Sequence, residues 1–142
     1  MRLAACLTAV LALGVSACAH GPTGTSHTRE LTRPDSAFGA SESRYYGIQE
    51  GETPTFETVQ ARNFPLDSFG GRYDIEDFRL QVTGYRLVVD TIRTGDEDDS
   101  VEAAHVRFIF HRVNDEWRFV DVLARYRCYR GRPGVWTNTL CP

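Results

Sequence analysis

A hairpin pattern in the C-terminal half is the strongest folding signal in this 142-residue chain. Apolar residues take alternate positions from Ala104 to Phe110, polar residues follow at 114–116, and Trp117 begins a second alternating stretch. Because strand side chains alternate between two faces, a three-residue loop at 114–116 brings one apolar set together. The predicted pairs are Val113–Trp117, Phe110–Val120, Phe108–Val122, Val106–Ala124 and Ala104–Tyr126. A slip of one residue would set Asp121 opposite Phe110, so this register is preferred.

The opposite face of this hairpin mixes apolar and polar side chains. In the same register its predicted pairs are His111–Phe119, Ile109–Asp121, Arg107–Leu123 and His105–Arg125. Successive residues of a strand point to opposite faces, so these pairs all lie away from the apolar set. We expect this second face to be half covered.

A second hairpin is predicted upstream, at residues 78–89. Apolar residues alternate at 78, 80 and 82 before Thr83-Gly84, and at 85, 87 and 89 on the opposite parity. A change of parity at a glycine is what a hairpin or a bulge produces. Further upstream, Thr53-Pro54 can begin a short helix through Val59, which would end before Pro65 and the glycine pair that follows.

The N-terminus has the pattern of a bacterial export signal. Arg2 precedes thirteen mostly apolar residues at 3–15, the length of a signal segment and too short to span a bilayer. The run ends in Val15-Ser16-Ala17-Cys18, which resembles the lipobox of bacterial lipoproteins. The resemblance covers residues 1–18. It implies cleavage before Cys18, diacylglycerol on the Cys18 sulfur and an acyl chain on its amine, which together form a durable membrane anchor.

Two further points bear on the address of the mature chain. Ala17-Cys18-Ala19 also fits an ordinary signal peptidase that cuts after Ala19, which is the alternative to lipidation. In the lipoprotein interpretation, the absence of aspartate after Cys18 implies transport to the outer membrane, so the expected location is its periplasmic face. Residues 18–43 are rich in Gly, Ser, Thr and Pro and are predicted to be a flexible tether, with one folded domain at 44–142.

Three cysteines remain after removal of the signal peptide at residues 1–17. Cys18 is assigned to the lipid, which leaves Cys128 and Cys141 as a pair in an oxidising compartment. We predict a disulfide that closes a loop of about 14 residues and stabilises the fold by roughly 3 kcal/mol. The alternative is a reactive thiol pair, although twelve intervening residues are unlike a redox C-x-x-C motif.

The fold class follows from these elements. We expect a mainly β domain, a small antiparallel sheet of about four to five strands with a C-terminal loop closed by the disulfide. Residues 106–122 are similar to the closing hairpin of nuclear transport factor 2-like domains, a strand, a turn, a tryptophan and a strand. That resemblance implies an α+β fold with long N-terminal helices. An α+β domain of this kind, or a cystatin-like one, is the alternative.

Charge is distributed unevenly along the chain. The net charge is −3, which gives no strong attraction to nucleic acid. All sixteen basic residues are arginines, and five of them lie at 117–142 against one acidic residue. The candidate binding residues in this basic, aromatic end are Arg125, Arg127, Tyr129, Arg130, Arg132 and Trp136. An anionic envelope partner fits them: lipid phosphates, a cell-wall polymer or an acidic protein surface. Alternatively, these arginines pair with the acidic stretch at 95–100 or with other carboxylates of the domain.

Catalytic and metal-binding patterns are not found. His105 and His111 lie six residues apart in one predicted strand, about 20 Å, too far to share an ion. The acidic residues at 96–102 lack the glycine and glutamate of a calcium loop, and no G-x-S-x-G motif occurs. We therefore expect no catalytic residues, no metal and no cofactor. The sequence favours a non-catalytic envelope lipoprotein that acts as a binding or assembly module. The alternative is a periplasmic inhibitor of a lytic enzyme.

Overall fold

An antiparallel sheet forms the framework of the part of the chain that the computed structural model describes, residues 30–64, 73–95 and 99–142. Its strands are β1 (Gly39–Ala40), β2 (Asp74–Thr83), β3 (Arg86–Thr94), β4 (Val101–Val113), β5 (Glu116–Cys128) and β6 (Trp136–Thr137). They follow the spatial order β1-β5-β4-β3-β2, and β6 pairs with β5 beside β1. The helix α1 (Phe56–Asn63) and two short 3-10 turns, Asp35–Ala37 and Ser43–Tyr46, lie beside the sheet among the described residues. The predicted mainly β class is confirmed.

The β4–β5 hairpin has the predicted register in its lower half and a different one near the turn. Phe108 faces Val122, Val106 faces Ala124 and Ala104 faces Tyr126, as expected. Above them Phe110 pairs with Phe119, Val113 pairs with Glu116 and His111 pairs with Arg118, so the predicted partners of these three residues were wrong.

A β-bulge explains the change of register. The pairing shifts between Ile109 and Phe110, which leaves Val120 as an extra residue on β5, 48% exposed. The turn itself holds two residues instead of three, Asn114 and Asp115, at φ of 50° and 65°. Left-handed conformations at both positions belong to the turn whose twist matches a two-residue hairpin.

The upstream elements occur where the pattern predicts them. β2 and β3 form a hairpin in which Leu80 faces Val89 and Gly84 occupies the turn at φ 59°. α1 begins after Thr55, whose side chain accepts a hydrogen bond from the backbone N–H of Thr58 and so caps the helix.

The apolar core lies on the sheet face that packs against α1. Its members are Leu87, Val89, Val101, Ala104, Val106, Phe108, Phe110, Phe119 and Val122 from the sheet, with Ile48, Val59 and Phe64 from the segment around the helix. Aromatic edges meet faces across this layer, as in Phe56–Phe110 and Phe64–Phe108. The alternation in β3, β4 and β5 therefore marks one buried face, whereas the alternating apolar residues of β2 remain exposed, Phe78 by 38%, Leu80 by 47% and Val82 by 53%.

Residues 30–43 pack against the opposite face, where the sequence predicted a tether. Leu31 and Phe38 are only 4% and 7% exposed, and β1 pairs with Ala124 and Leu123 at the edge of β5. Gly39 lies so close to residue 138 that a Cβ there would meet its carbonyl oxygen at 2.3 Å. The described residues from 30 to 43 therefore pack as part of the fold, upstream of the boundary predicted at residue 44. Cys18, the signal segment and tether residues 18–29 lie outside the described residues.

The predicted disulfide is present. Cys128, the last residue of β5, is bonded to Cys141, with their Cα atoms 5.6 Å apart. The bridge closes the segment that contains β6, and it holds Trp136 against the same sheet face that residues 30–43 cover. Phe38 and Trp136, from segments at the two ends of the described chain, therefore lie on the same face of the sheet, where both rings contact His105.

Candidate functional site

The sheet face opposite α1 carries a group of buried charged side chains. Asp90 comes from β3, His105 and Arg107 from β4, and Arg125 from β5, and each is at most 5% exposed. The strand register sets Asp90 beside Arg107 and His105 beside Arg125. Because charged residues are rarely buried without partners, this arrangement requires a connected set of ion pairs and hydrogen bonds.

Asp90 is the acceptor at the centre of this group. Arg107 donates to it through Nε at 2.7 Å and through Nη2 at 3.2 Å. His105 Nε2 lies 3.0 Å from the same carboxylate, and Arg125 Nε lies 3.2 Å from His105 Nδ1. A guanidinium can only donate, so Nδ1 accepts and the Nε2–H donates to Asp90. Burial, with some help from Arg125 and Arg107, lowers the pKa of His105 despite Asp90 and keeps the ring neutral.

Residues 30–38, here called the cover segment, lie across these groups. The Glu30 carboxylate pairs with Arg125, and the Leu31 carbonyl oxygen accepts from Arg107 Nη2 at 3.4 Å. The Phe38 ring stacks against the guanidinium of Arg107, 4.4 Å from its centroid. Although burial acts against it, the Arg125 contact lowers the pKa of Glu30. The cover segment thus replaces solvent over the buried charges.

Asp35 of the cover segment bridges two arginines. Its Oδ1 accepts from Arg107 Nη1 at 2.7 Å, and its Oδ2 accepts from Arg86 Nη2 at 2.6 Å. Burial acts against charge on Arg107, but Asp90 and Asp35 outweigh it and raise the pKa of this guanidinium. Arg107 is therefore a fixed positive charge whose orientation is set by carboxylates on two sides.

A cavity of about 410 Å³ opens between the cover segment and strands β2 to β4. We call it the arginine pocket. It is lined by Leu31, Thr32, Arg33, Pro34, Asp35, Arg79, Gln81, Thr83, Arg86, Val88 and Arg107. Four guanidinium groups against one carboxylate make the lining positive in a chain that is negative overall. Arginine forks match the oxygens of carboxylates and phosphates, so this cavity is suited to an anion.

Arg33 of the cover segment and Arg79 of β2 both line the arginine pocket. Arg79 donates to the Leu31 carbonyl oxygen at 3.2 Å and to Gln81 Oε1 at 2.9 Å. Arg33 donates through Nη2 to Glu30, while its Nε is buried and has no hydrogen-bond partner among the described residues. A buried donor without an acceptor is unfavourable, and an anion in the pocket would supply one.

The structure divides the candidate binding residues predicted at the C-terminus. Arg125 is buried between the rings of Phe38 and Trp136, which lie 5.2 Å and 4.8 Å from it. Arg127 lies 3.0 Å from Glu102, and Arg130 donates to Asp99 at 3.3 Å. Arg125, Arg127 and Trp136 thus come together, with both guanidinium groups packed against the Trp136 ring on the sheet. Three of these arginines pair with carboxylates of the domain, which is the alternative that the sequence left open.

The rest of that set lies at the surface of the disulfide-closed loop. Tyr129 and Arg130 are exposed, and Arg132 makes no ion pair within the described ranges. A second cavity, of about 280 Å³, is lined partly by Arg130, Arg132 and Trp136. It offers fewer guanidinium groups than the arginine pocket, and the Arg130 side chain there is 65% exposed, so each charge is better screened by water.

No protein family, curated protein or solved structure matches this chain. Where the structure describes the chain, no helix is long and apolar enough to cross a membrane. In the same ranges, no group of three or more His, Cys, Asp or Glu residues could hold a metal ion.

Sequence reasoning missed the arginine pocket. Its one signal was the mixed face of the β4–β5 hairpin, where Arg107 and His105 alternate with the core residues. Polar residues at alternate strand positions are typical of a solvated face, and nothing local shows that another segment covers them. Arg33 and Asp35 were assigned to the tether, so their approach to Arg86 was not foreseen.

Proposed function

We propose that the mature chain is a non-catalytic lipoprotein of the bacterial cell envelope that binds an anionic partner through the arginine pocket. In this proposal Cys18 carries the lipid and holds the domain at the periplasmic face of the outer membrane. The observation that supports binding is the set of four arginines around one cavity, with the buried Nε of Arg33 lacking an acceptor among the residues that the structure describes. The support for the anchor is the pattern of residues 1–18.

The surroundings of the pocket favour binding over catalysis. His105 is fully buried, and both of its ring nitrogens are engaged by Asp90 and Arg125. A general acid or base must reach the proton that it transfers. Asp90, to which His105 also donates, instead holds the Arg107 side chain in place. Arg107 therefore loses less conformational entropy when an anion binds.

Anion binding is tested by thermal unfolding of the chain from residue 18 carrying Cys18→Ala, so that no lipid is attached. Inorganic phosphate, sulfate and citrate are added in turn at constant ionic strength. A ligand present at one hundred times its Kd stabilises the folded state by about 2.7 kcal/mol, so the unfolding temperature should rise. The same titration of Arg86→Ala should show a smaller rise.

The matched control is Arg44→Ala. Arg44 is 69% exposed, pairs with Glu42 and does not line the pocket, so its removal should leave the anion effect unchanged. Equal responses in all three proteins, or no response in any, would refute binding in the pocket. Intact mass of protein from the membrane fraction tests the anchor separately: a tri-acylated Cys18 start supports it, and a soluble chain that begins at His20 refutes it.

A further inference from the structure

We infer that the anion held by the arginine pocket is the phosphate of a lipid headgroup, so that the domain rests with this pocket against the bilayer that holds its anchor. The inference rests on the proposed function, because it requires both the lipid on Cys18 and an anion in the pocket. It names the ligand class and the orientation of the domain at the membrane.

The first support is the length of chain between anchor and fold. The cover segment begins at Glu30, so eleven residues separate it from Cys18, far fewer than the sequence predicted. Eleven residues span at most about 40 Å when fully extended. A domain of about 100 residues has a radius of gyration near 13 Å, so this reach is close to its own diameter. The domain therefore stays within about one diameter of the membrane, where its pocket can reach a headgroup.

The second support is the place where the chain enters the domain. Residues 31–35, which follow the tether directly, form one wall of the arginine pocket. The side of the domain nearest to the anchor is thus also the side on which the pocket opens. A pocket on the far side of the sheet would need the chain to pass around the domain first.

The third support is the chemistry of the pocket. Arg33 and Arg86 are half-exposed, at 41% and 35% of their side chains, so they can reach a headgroup, while Arg107 is fixed at the base. Phosphate oxygens accept hydrogen bonds from such guanidinium forks. Of the described residues that line the pocket, one carries a carboxylate: Asp35, whose two oxygens accept from Arg86 and Arg107 and so hold these arginines at the spacing of two oxygens of one anion. A phosphate would bind beside it or displace it.

Charge makes the effect specific to this pocket. The chain from residue 18 onward has more acidic than basic residues, so an anionic surface repels it as a whole. Attraction must come from a local cluster of arginines, each of which contributes about 1 kcal/mol near an anionic bilayer. Loss of one such arginine should weaken binding about fivefold.

The test is co-sedimentation of the unlipidated chain, from residue 18 with Cys18→Ala, with two kinds of vesicle. One is phosphatidylcholine alone, and the other contains equal parts of phosphatidylcholine and phosphatidylglycerol. We expect binding to the second kind only, weakened about fivefold by Arg86→Ala and by Arg33→Ala. Arg44→Ala and Arg130→Ala, which remove exposed arginines outside the pocket, should bind as the parent chain does.

Each other outcome has a definite meaning. Stabilisation by inorganic phosphate without vesicle binding would overturn the lipid inference and leave the anion pocket standing. Absence of both effects would overturn the inference and the proposed binding function together. Vesicle binding that falls with Arg130→Ala but not with Arg33→Ala would assign the membrane contact to the disulfide-closed loop. Circular dichroism of Arg33→Ala, a substitution at the pocket rim, checks that a lost effect is not lost folding.

Discussion

Replacement of Asp90 by asparagine should destabilise the fold strongly. The carboxylate is 2% exposed and accepts two hydrogen bonds from Arg107 and one from His105. Asparagine has a similar shape but no charge, and its NH₂ group would face donors. Arg107 would keep Asp35 and the Leu31 carbonyl, yet its main counter-charge would be lost. Loss of one partner of a buried ion pair costs about 3–5 kcal/mol, a large share of the 5–15 kcal/mol that stabilises a typical domain.

Urea unfolding of the chain from residue 18 with Cys18→Ala, with the disulfide intact, measures this cost. With a slope of about 1–3 kcal/mol per molar urea, a loss of 3 kcal/mol lowers the unfolding midpoint by roughly 1–3 M. The matched control is Asp115→Asn, which removes an exposed carboxylate from the β4–β5 turn and should change stability by less than about 0.5 kcal/mol. If the two variants unfold at the same urea concentration, the buried network does not hold the polar face together.

Three further results are expected from the same unfolding assay. Reduction of the Cys128–Cys141 bridge should lower the free energy of unfolding by about 3 kcal/mol, and retention of full stability after confirmed reduction would contradict its structural role. Burial lowers the pKa of His105 below 6.5, so the unfolded chain binds more protons, and stability should fall by up to about 1.4 kcal/mol per pH unit below pH 6.5. Glu30, whose pKa is lowered from 4.5, adds a second loss as the pH falls below that value; a His105→Gln chain should lose the pH dependence that begins at 6.5 and keep the loss below 4.5. Asp115→Gly should raise stability by about 0.5 kcal/mol because Asp115 lies at φ 65°, and a decrease would show that its exposed contact with Arg112 outweighs the backbone strain.

The sheet could be predicted because its signal is local. Alternation within ten residues records which side chains share a face of a strand, and it located both hairpins and most of the β4–β5 register. It did not show that Phe78, Leu80 and Val82 of β2 stay exposed. It did not distinguish a three-residue loop from a two-residue loop with a bulge, because both place Phe108 opposite Val122. The two-residue loop is the one that forms, because Asn114 and Asp115 adopt left-handed conformations whose twist matches that of the strands. The apolar pattern does not encode this backbone twist.

The arginine pocket could not be predicted in the same way because its contacts join distant parts of the chain. Asp35 pairs with Arg86 and Arg107, 51 and 72 residues away, and Glu30 pairs with Arg125, 95 residues away. A segment rich in Gly, Ser and Pro has the composition of a linker whether or not it packs. The alternative that the C-terminal arginines pair with the domain's own acids was available from charge alone, but the particular partners were not.

The distance in sequence between Glu30 and Arg125 also has a consequence for the order in which the contacts of the fold form. Contacts between residues so far apart form late, because the chain entropy lost in closing a long loop precedes any gain from the contact. The neighbouring hairpins of β2 to β5 have short loops and can pair first. We therefore expect a folding chain to acquire its sheet before residues 30–38 settle on it. Until then Arg107 and Arg125 stay accessible, so this protein reaches its final surface charge only in the last step of folding.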